Sequence, residues 1–241
     1  MITPRGDHAI AYVTARAAGE RLLALRGLVD GAGADAASHA LIVAMLERAA
    51  PGDAVRSEEG ERGRGRRSRV WIVDPLDGTR EFCEAGRTDW AVHVALWDSG
   101  RLTAAAVALP AAETILSTLA PSRPPPRHRR PRIVVSRSRP PQVATEVAVA
   151  LGGEIVELGS AGAKTAAVVC GDADVYLHAG GQFEWDSAAP SAVASACGLH
   201  VSRLDGRPLV YNRDDPWLPD LVVCRREVAD AVLGIACGTA E

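Results

Sequence analysis

The run Trp71-Ile72-Val73-Asp74-Pro75-Leu76-Asp77-Gly78-Thr79 constrains this chain more than any other segment. An apolar strand ends there directly in two carboxylates, with only a proline and a leucine between them. Proline fixes its own φ and withholds a backbone donor. Gly78 permits a tight turn. Such a turn aims Asp74 and Asp77 at one point and frees the Leu76 carbonyl. Hard divalent cations such as Mg2+ take oxygen ligands of this kind. Asp-Pro and Asp-Gly pairs also make ordinary turns. The strand end is what shifts the reading toward function, because ligands of α/β proteins gather there.

Further acids stand where they could join this pair. Ser57-Glu58-Glu59 follows a short apolar segment, and Trp185-Asp186-Ser187-Ala188-Ala189-Pro190 opens a helix. Each has a plainer explanation. Glu58 and Glu59 can be solvated loop acids, Asp186 can be a helix N-cap, and Asp35 can cap the helix that follows it.

The hydrophobic pattern predicts helices over 7–28 and 36–49, then strands at Val70–Val73, Trp90–Trp97, Leu102–Leu109 and Thr114–Leu119. Past the Pro- and Arg-rich stretch 121–132 the elements alternate. Strands are expected at Ile133–Val135, 154–158, 173–178 and 220–224, and helices at 141–151, 161–170, 186–197 and 227–236. This is a mixed α/β (α+β) chain of two lobes. Residues 1–125 form a lobe of helices on a more antiparallel sheet, carrying most of the acids. Residues 126–241 form an α/β lobe. The Gly- and Arg-rich stretch 60–69 is expected to be a mobile surface loop that, if it hovers over the acids, would draw in polyanionic substrate.

Composition removes other classes. At 47% hydrophobic and 24% charged residues, the 241-residue chain has ordinary globular usage rather than that of a disordered one. A formal charge of −3 and 4% aromatic residues give neither a basic surface nor a stacking platform, which weighs against the competing reading of an RNA-binding module. No apolar run approaches the ~20 residues needed to span a bilayer. The first residues lack the apolar stretch of a secretory signal. The five cysteines are odd in number and form no Cys-x-x-Cys pair, so a reducing, cytoplasmic setting is expected. Cys83 is read as a packed thiol. Lys164 is the only lysine among many arginines, and it marks either an unsubstituted surface position or a site that needs a compact ammonium.

Together, Ser57-Glu58-Glu59, Asp74-Pro75-Leu76-Asp77-Gly78-Thr79 and Trp185-Asp186-Ser187-Ala188-Ala189 resemble, in order, the motifs of the inositol monophosphatase superfamily of Mg2+-dependent, lithium-sensitive phosphatases. Asp74 to Phe82, Val135-Ser136-Arg137-Ser138, Gly159 to Lys164 and Tyr176 to Gln182 are most similar to its CysQ-type 3′(2′),5′-bisphosphate nucleotidases of the actinobacterial branch. The resemblance implies a layered α-β-α-β-α sandwich. It also implies hydrolysis of 3′-phosphoadenosine 5′-phosphate to AMP and phosphate in sulfate assimilation, by a monomer or homodimer acting on small molecules rather than nucleic acid or membrane. Glu58, Asp74 and the Leu76 carbonyl would then hold one Mg2+, and Asp74, Asp77 and Asp186 a second. A third, weaker ion near Glu58 is an option. Thr79 and Asp35 would orient the attacking water, and 23 residues separate Asp35 from Glu58, as in the family. Substrate contacts would fall on Gly78, Thr79, Ser136, Arg139, Ser160, Lys164 and Asp186. Just before Asp35 the chain departs from the family pattern, with Gly31-Ala32-Gly33-Ala34 in place of a Lys/Asp-rich stretch. An inositol 1-phosphate or fructose 1,6-bisphosphate phosphatase on the same metal core is the nearest alternative.

Overall fold

The structure, a computed structural model, describes residues 6–62 and 68–238. Two helices come first, α1 (Asp7–Leu25) and α2 (Gly31–Ala49), followed by strands β1 (Ala54–Ser57), β2 (Gly60–Arg62) and β3 (Arg69–Asp77). A short helix, α3 (Thr79–Cys83), leads into β4 (Ala91–Asp98), β5 (Arg101–Leu109) and β6 (Thr114–Ser117). The remainder runs β7 (Arg132–Ser136), α4 (Gln142–Ala150), β8 (Glu154–Leu158), α5 (Ala161–Cys170), β9 (Val175–Phe183), α6 (Glu184–Ala196), β10 (His200–Ser202), β11 (Trp217–Cys224) and α7 (Arg226–Gly238).

The strands form two sheets, ordered β2-β1-β3-β4-β5-β6 and β10-β11-β9-β7-β8. The alternation of side chains along each strand decides how the layers stack. In β3, Trp71 and Val73 face α1 and α2, where Ile10, Leu22, Ile42 and Leu46 pack. Val70 and Ile72 face the other way, onto Val168 of α5 and Ala188 and Val193 of α6. The second sheet closes that middle layer with Tyr176, Leu221 and Val223. Its outer face sends Ile133, Val135, Val175 and Leu177 against Val147 of α4 and Val228 and Val232 of α7. The result is the expected α-β-α-β-α sandwich. Both sheets are covered on both faces, which is why β3 and β4 read as nearly continuous apolar runs rather than alternating ones.

Three expectations change. The cap of α2 is Asp30, whose side chain accepts from Gly33 N at 2.8 Å; Asp35 lies inside the helix and is buried. The cap of α6 is Phe183, so Asp186 occupies the third helical position and its carboxylate reaches back to Phe183 N at 2.7 Å. In the stretch 60–69, residues 60–62 pair with β1 and Arg69 opens β3, while residues 63–67 fall outside the described residues. No helix among the described residues is long and apolar enough to cross a membrane.

Candidate active site

The two acids of β3 are brought together by an irregularity in the sheet. Three residues apart on a regular strand, Asp74 and Asp77 would point to opposite faces. The register against β4 slips between them, with Asp74 opposite His93 and Asp77 opposite Ala91. One extra residue on β3 makes a β-bulge, and that restores both acids to one side. The bulge holds Pro75, which needs no ladder partner for its nitrogen. Ser38 Oγ of α2 donates to the Pro75 carbonyl at 2.8 Å, and Leu76 N donates to Asp74 Oδ1 at 3.1 Å. Gly78 then adopts φ 87°, and the chain enters α3. Arg26 holds that helix in place, donating from Nε to the Phe82 carbonyl at 2.9 Å and from Nη2 to the Glu84 carbonyl at 2.8 Å.

At this turn Asp74, Asp77 and Asp186 each present a carboxylate oxygen, and all three lie within 4.8 Å of one another. Their electrostatics are those of crowded anions. Burial, then the charges of Asp77, Asp186, Glu58 and Asp35, raise Asp74 well above its ordinary value. Burial and Asp77 push Asp186 up to about 7. Burial, Glu58 and Glu59 push Asp35 up to about 7, and its Oδ1 has no hydrogen-bond partner. Burial and Glu59 also raise Glu58. Asp77 is the exception. Burial acts to raise it, but the His93 and Lys164 charges and the Gly162 N–H together bring it below its usual value. An oxygen-only set of converging acids, most of them held toward protonation by burial first and mutual repulsion second, fits a hard divalent cation.

Asp77 and Asp186 open onto a cleft of about 720 Å3 lined also by Glu58, Gly78, Thr79, Ser136, Arg139 and Lys164. Glu58 lines this cleft but stands outside the tight group of three. Lys164 is buried beneath the surface of α5; its ammonium donates to the Gly159 carbonyl and sits 5.3 Å from the centre of the Tyr176 ring. Burial lowers it to about 8 against the opposing pull of Asp77, Glu81, Asp186 and Asp89. Ser160 is buried beside Gly78. Its hydroxyl caps α5 by accepting from Ala163 N at 2.9 Å, and the flanking Gly159 and Ala161 line the cleft. Thr79 Oγ1 donates to the Leu76 carbonyl at 3.3 Å.

The sequence left several neighbours without a role. Tyr176, His178 and Gln182 line the same cleft, as does Glu81, which Arg137 grips at 2.6 Å. His93 is fully buried beside Asp77. A histidine in the middle of the otherwise apolar run Ala91-Val92-His93-Val94-Ala95 was the signal for it.

The family model for the inositol monophosphatase family matches residues 31–124 and 126–233. A 3′-phosphoadenosine 5′-phosphate phosphatase of Mycobacterium leprae is 48% identical over 95% of this chain and 93% of its own length. The 3′(2′),5′-bisphosphate nucleotidase CysQ of Escherichia coli is 32% identical over 77% of this chain and 80% of its own length. Among solved structures, an inositol monophosphatase from Anabaena superposes with a TM-score of 0.78 at 22% identity, covering 96% of this chain and 95% of that one.

Proposed function

The chain belongs to the inositol monophosphatase family, and on that basis we propose that it removes the 3′-phosphate of 3′-phosphoadenosine 5′-phosphate, giving AMP and phosphate. The observation that carries this reading is the convergence of Asp74, Asp77 and Asp186 at a cleft that also holds the chain's only lysine. A phosphate dianion needs positive charge at one end of the cleft, and a bisphosphate needs it at two places.

Glu58, Asp74 and the Leu76 carbonyl would hold one Mg2+, and Asp74, Asp77 and Asp186 a second, with a third, weaker ion near Glu58 an option. Bound there, Mg2+ supplies the charge that neutralises the phosphate and lowers the pKa of the attacking water. The chain's own groups do the positioning. Gly31, at the start of α2, abuts Thr79, and Asp35 follows one helical turn later, so Asp35 and Thr79 serve the same side of the turn. They orient the water, and Asp35 accepts its proton. The water oxygen bonds to phosphorus, the bond to the 3′ oxygen breaks, and that oxygen takes a proton from solvent to leave as the AMP hydroxyl, while Asp35 returns the proton it accepted to solvent. Gly78 and Thr79 present backbone N–H groups to the scissile phosphate. Lys164, Arg139 and Ser136 hold the second phosphate and the ribose side of the substrate. The odd number and scattered spacing of the five cysteines fit a reducing, cytoplasmic workplace.

A panel of phosphate-release assays with Mg2+ tests the reading. 3′-Phosphoadenosine 5′-phosphate at equal concentration should outpace inositol 1-phosphate and fructose 1,6-bisphosphate, and Li+ and Asp77→Asn should each suppress the activity. A faster reaction with inositol 1-phosphate would move the assignment to that substrate. Activity that survives Asp77→Asn would remove the metal centre from the mechanism.

A further inference from the structure

His93 sits at the centre of the middle layer with none of its surface exposed, yet every mechanistic role falls to other residues. Its position on β4 is opposite Asp74, across the bulge. Its ring touches two segments that each carry an acid of the cluster. Nδ1 lies 3.1 Å from the Trp185 carbonyl, one residue before Asp186. Nε2 lies 3.1 Å from Asp77 Oδ2. A carbonyl oxygen only accepts, so Nδ1 carries hydrogen and the ring orientation is set by the backbone that leads to Asp186.

A third element closes around the same contact. Gly162 N of α5 donates to Asp77 Oδ2 at 2.8 Å. A Cβ on Gly162 would fall 2.4 Å from His93 Nε2 and 2.7 Å from the Ala91 Cβ, so only glycine lets α5 come this near. Gly162 N, by a hydrogen bond, and His93 Nε2, at an ion-pair distance without hydrogen-bond alignment, thus meet one Asp77 oxygen from α5 and from β4. Carboxylates and imidazoles that support metal ligands in this manner fix ligand orientation, and removing them weakens metal binding by ~10–100-fold.

We propose that His93 is a positioning residue for the metal centre, a strut that fixes the distance between Asp77 on β3 and Asp186 on α6. This rests on the metal-dependent reading of the site. It predicts that the strut acts on the binding of Mg2+ itself, before substrate enters.

The experiment is thermal unfolding of the full chain across a Mg2+ titration without substrate, for wild type, His93→Phe and His93→Asn, followed by KM and kcat at saturating Mg2+. Phenylalanine keeps a flat aromatic ring and removes both nitrogens. It should raise the Mg2+ concentration for half-maximal stabilisation by ~10–100-fold. The asparagine amide is too short to span both partners and should give an intermediate shift; it also carries the test if the phenyl ring is not accommodated. KM for the substrate should stay within about twofold of wild type while kcat falls, as expected for a residue that orients ligands without touching substrate. Folded variants whose Mg2+ midpoints match that of wild type would overturn the role of His93 and leave the proposed activity standing. A wild type that Mg2+ does not stabilise at all would overturn both.

Discussion

Gly31 packs against Thr79 so closely that a Cβ on the glycine would stand 2.5 Å from the threonine methyl and 3.1 Å from Cys83 Sγ. The first turn of α2 and the first residue of α3 are thus fitted to each other without space between them. This gives a physical reason for glycine at position 31. Gly31→Ala should push Thr79 out of position and lower kcat by ~10–100-fold, since a displacement of about 1 Å costs that much in an oriented reaction. Overpacking of this kind also costs ~1–3 kcal/mol in stability. Adding Thr79→Ser removes the clashing methyl and keeps the hydroxyl, so the double variant should recover most of the loss. Steady-state kinetics on wild type and the two variants checks this. A double variant no better than Gly31→Ala would mean that the clash is not the cause.

The raised carboxyls make stability depend on pH in a definite sense. Unfolded carboxyls titrate near ~4, whereas in the folded chain Asp35 and Asp186 titrate at about 7 and Asp74 and Glu58 are raised as well. The metal-free folded chain therefore binds more protons than the unfolded one. The stability this cluster contributes is fully present below ~4 and is lost as pH rises through about 7. Asp77, with its lowered value, works in the opposite sense below ~4, and His178 and His200, which burial lowers, oppose the cluster within the interval, but the raised carboxyls outnumber them. Tm in EDTA should fall between pH 5.5 and pH 8, and the rise produced by Mg2+ should be larger at pH 8. Asp186→Asn keeps an oxygen to accept from Phe183 N and removes a charge. It should raise Tm in EDTA at pH 8, abolish activity, and remove most of the Mg2+ effect. Each ~1 kcal/mol relieved reads as ~2–4 °C for a chain of this length. A Tm difference with and without Mg2+ that is the same at both pH values would contradict the crowding of these acids.

Much of this architecture could be read from periodicity and from the acid motifs, and the reasons for the gaps are specific. Strand β1 has four residues and pairs in parallel with β3, and its hairpin to β2 turns on Glu58-Glu59, which carry none of the Gly or Asn signals of a tight hairpin loop. The hydrophobic pattern starts α2 at residue 36 because Gly31 to Ala34 offers no apolar period, while the helix begins at Gly31 behind its cap, Asp30. The acids of the turn were recognised, but the bulge that sets both on one face is a property of the pairing with β4, which a single strand does not encode. His93 was hidden for a similar reason. Its partners come from β3, α5 and the segment entering α6, and none is near it in sequence.

The long connection before β7 is held by one buried acid. Asp174, fully buried, accepts from His128 N at 3.2 Å, His128 Nδ1 at 3.0 Å, Arg132 N at 2.9 Å and Arg225 Nε at 2.9 Å. It ties the end of the Pro- and Arg-rich stretch to the start of α7. Asp174→Ala leaves a buried guanidinium and two backbone donors without their partner, a loss of ~3–5 kcal/mol. Urea unfolding should show a lower midpoint at an unchanged slope. Asp174→Asn, which still accepts, should lose less. A loss below ~1 kcal/mol for the alanine variant would place these contacts with weak surface pairs.

Lys164 offers the sharpest test of the second phosphate. Burial is the largest influence on it and brings the ammonium down to about 8, with Asp77, Glu81, Asp186 and Asp89 opposing. The side chain is therefore largely charged at pH 7 and largely neutral at pH 9. If its charge meets the 5′-phosphate, KM for 3′-phosphoadenosine 5′-phosphate should rise across that interval at saturating Mg2+. Lys164→Met should raise KM at pH 7 and remove the pH dependence. Hydrogen bonds to charged groups contribute ~1.5–3 kcal/mol, and every ~1.4 kcal/mol is tenfold in affinity, so the rise should be ~10–100-fold. 3′-AMP, which lacks the 5′-phosphate, separates this role from a general one. Its KM should change little in Lys164→Met if the ammonium serves the 5′-phosphate alone. An equal rise for both substrates would place Lys164 at the scissile phosphate, and a KM that is flat from pH 7 to pH 9 would show that its charge does not reach the substrate.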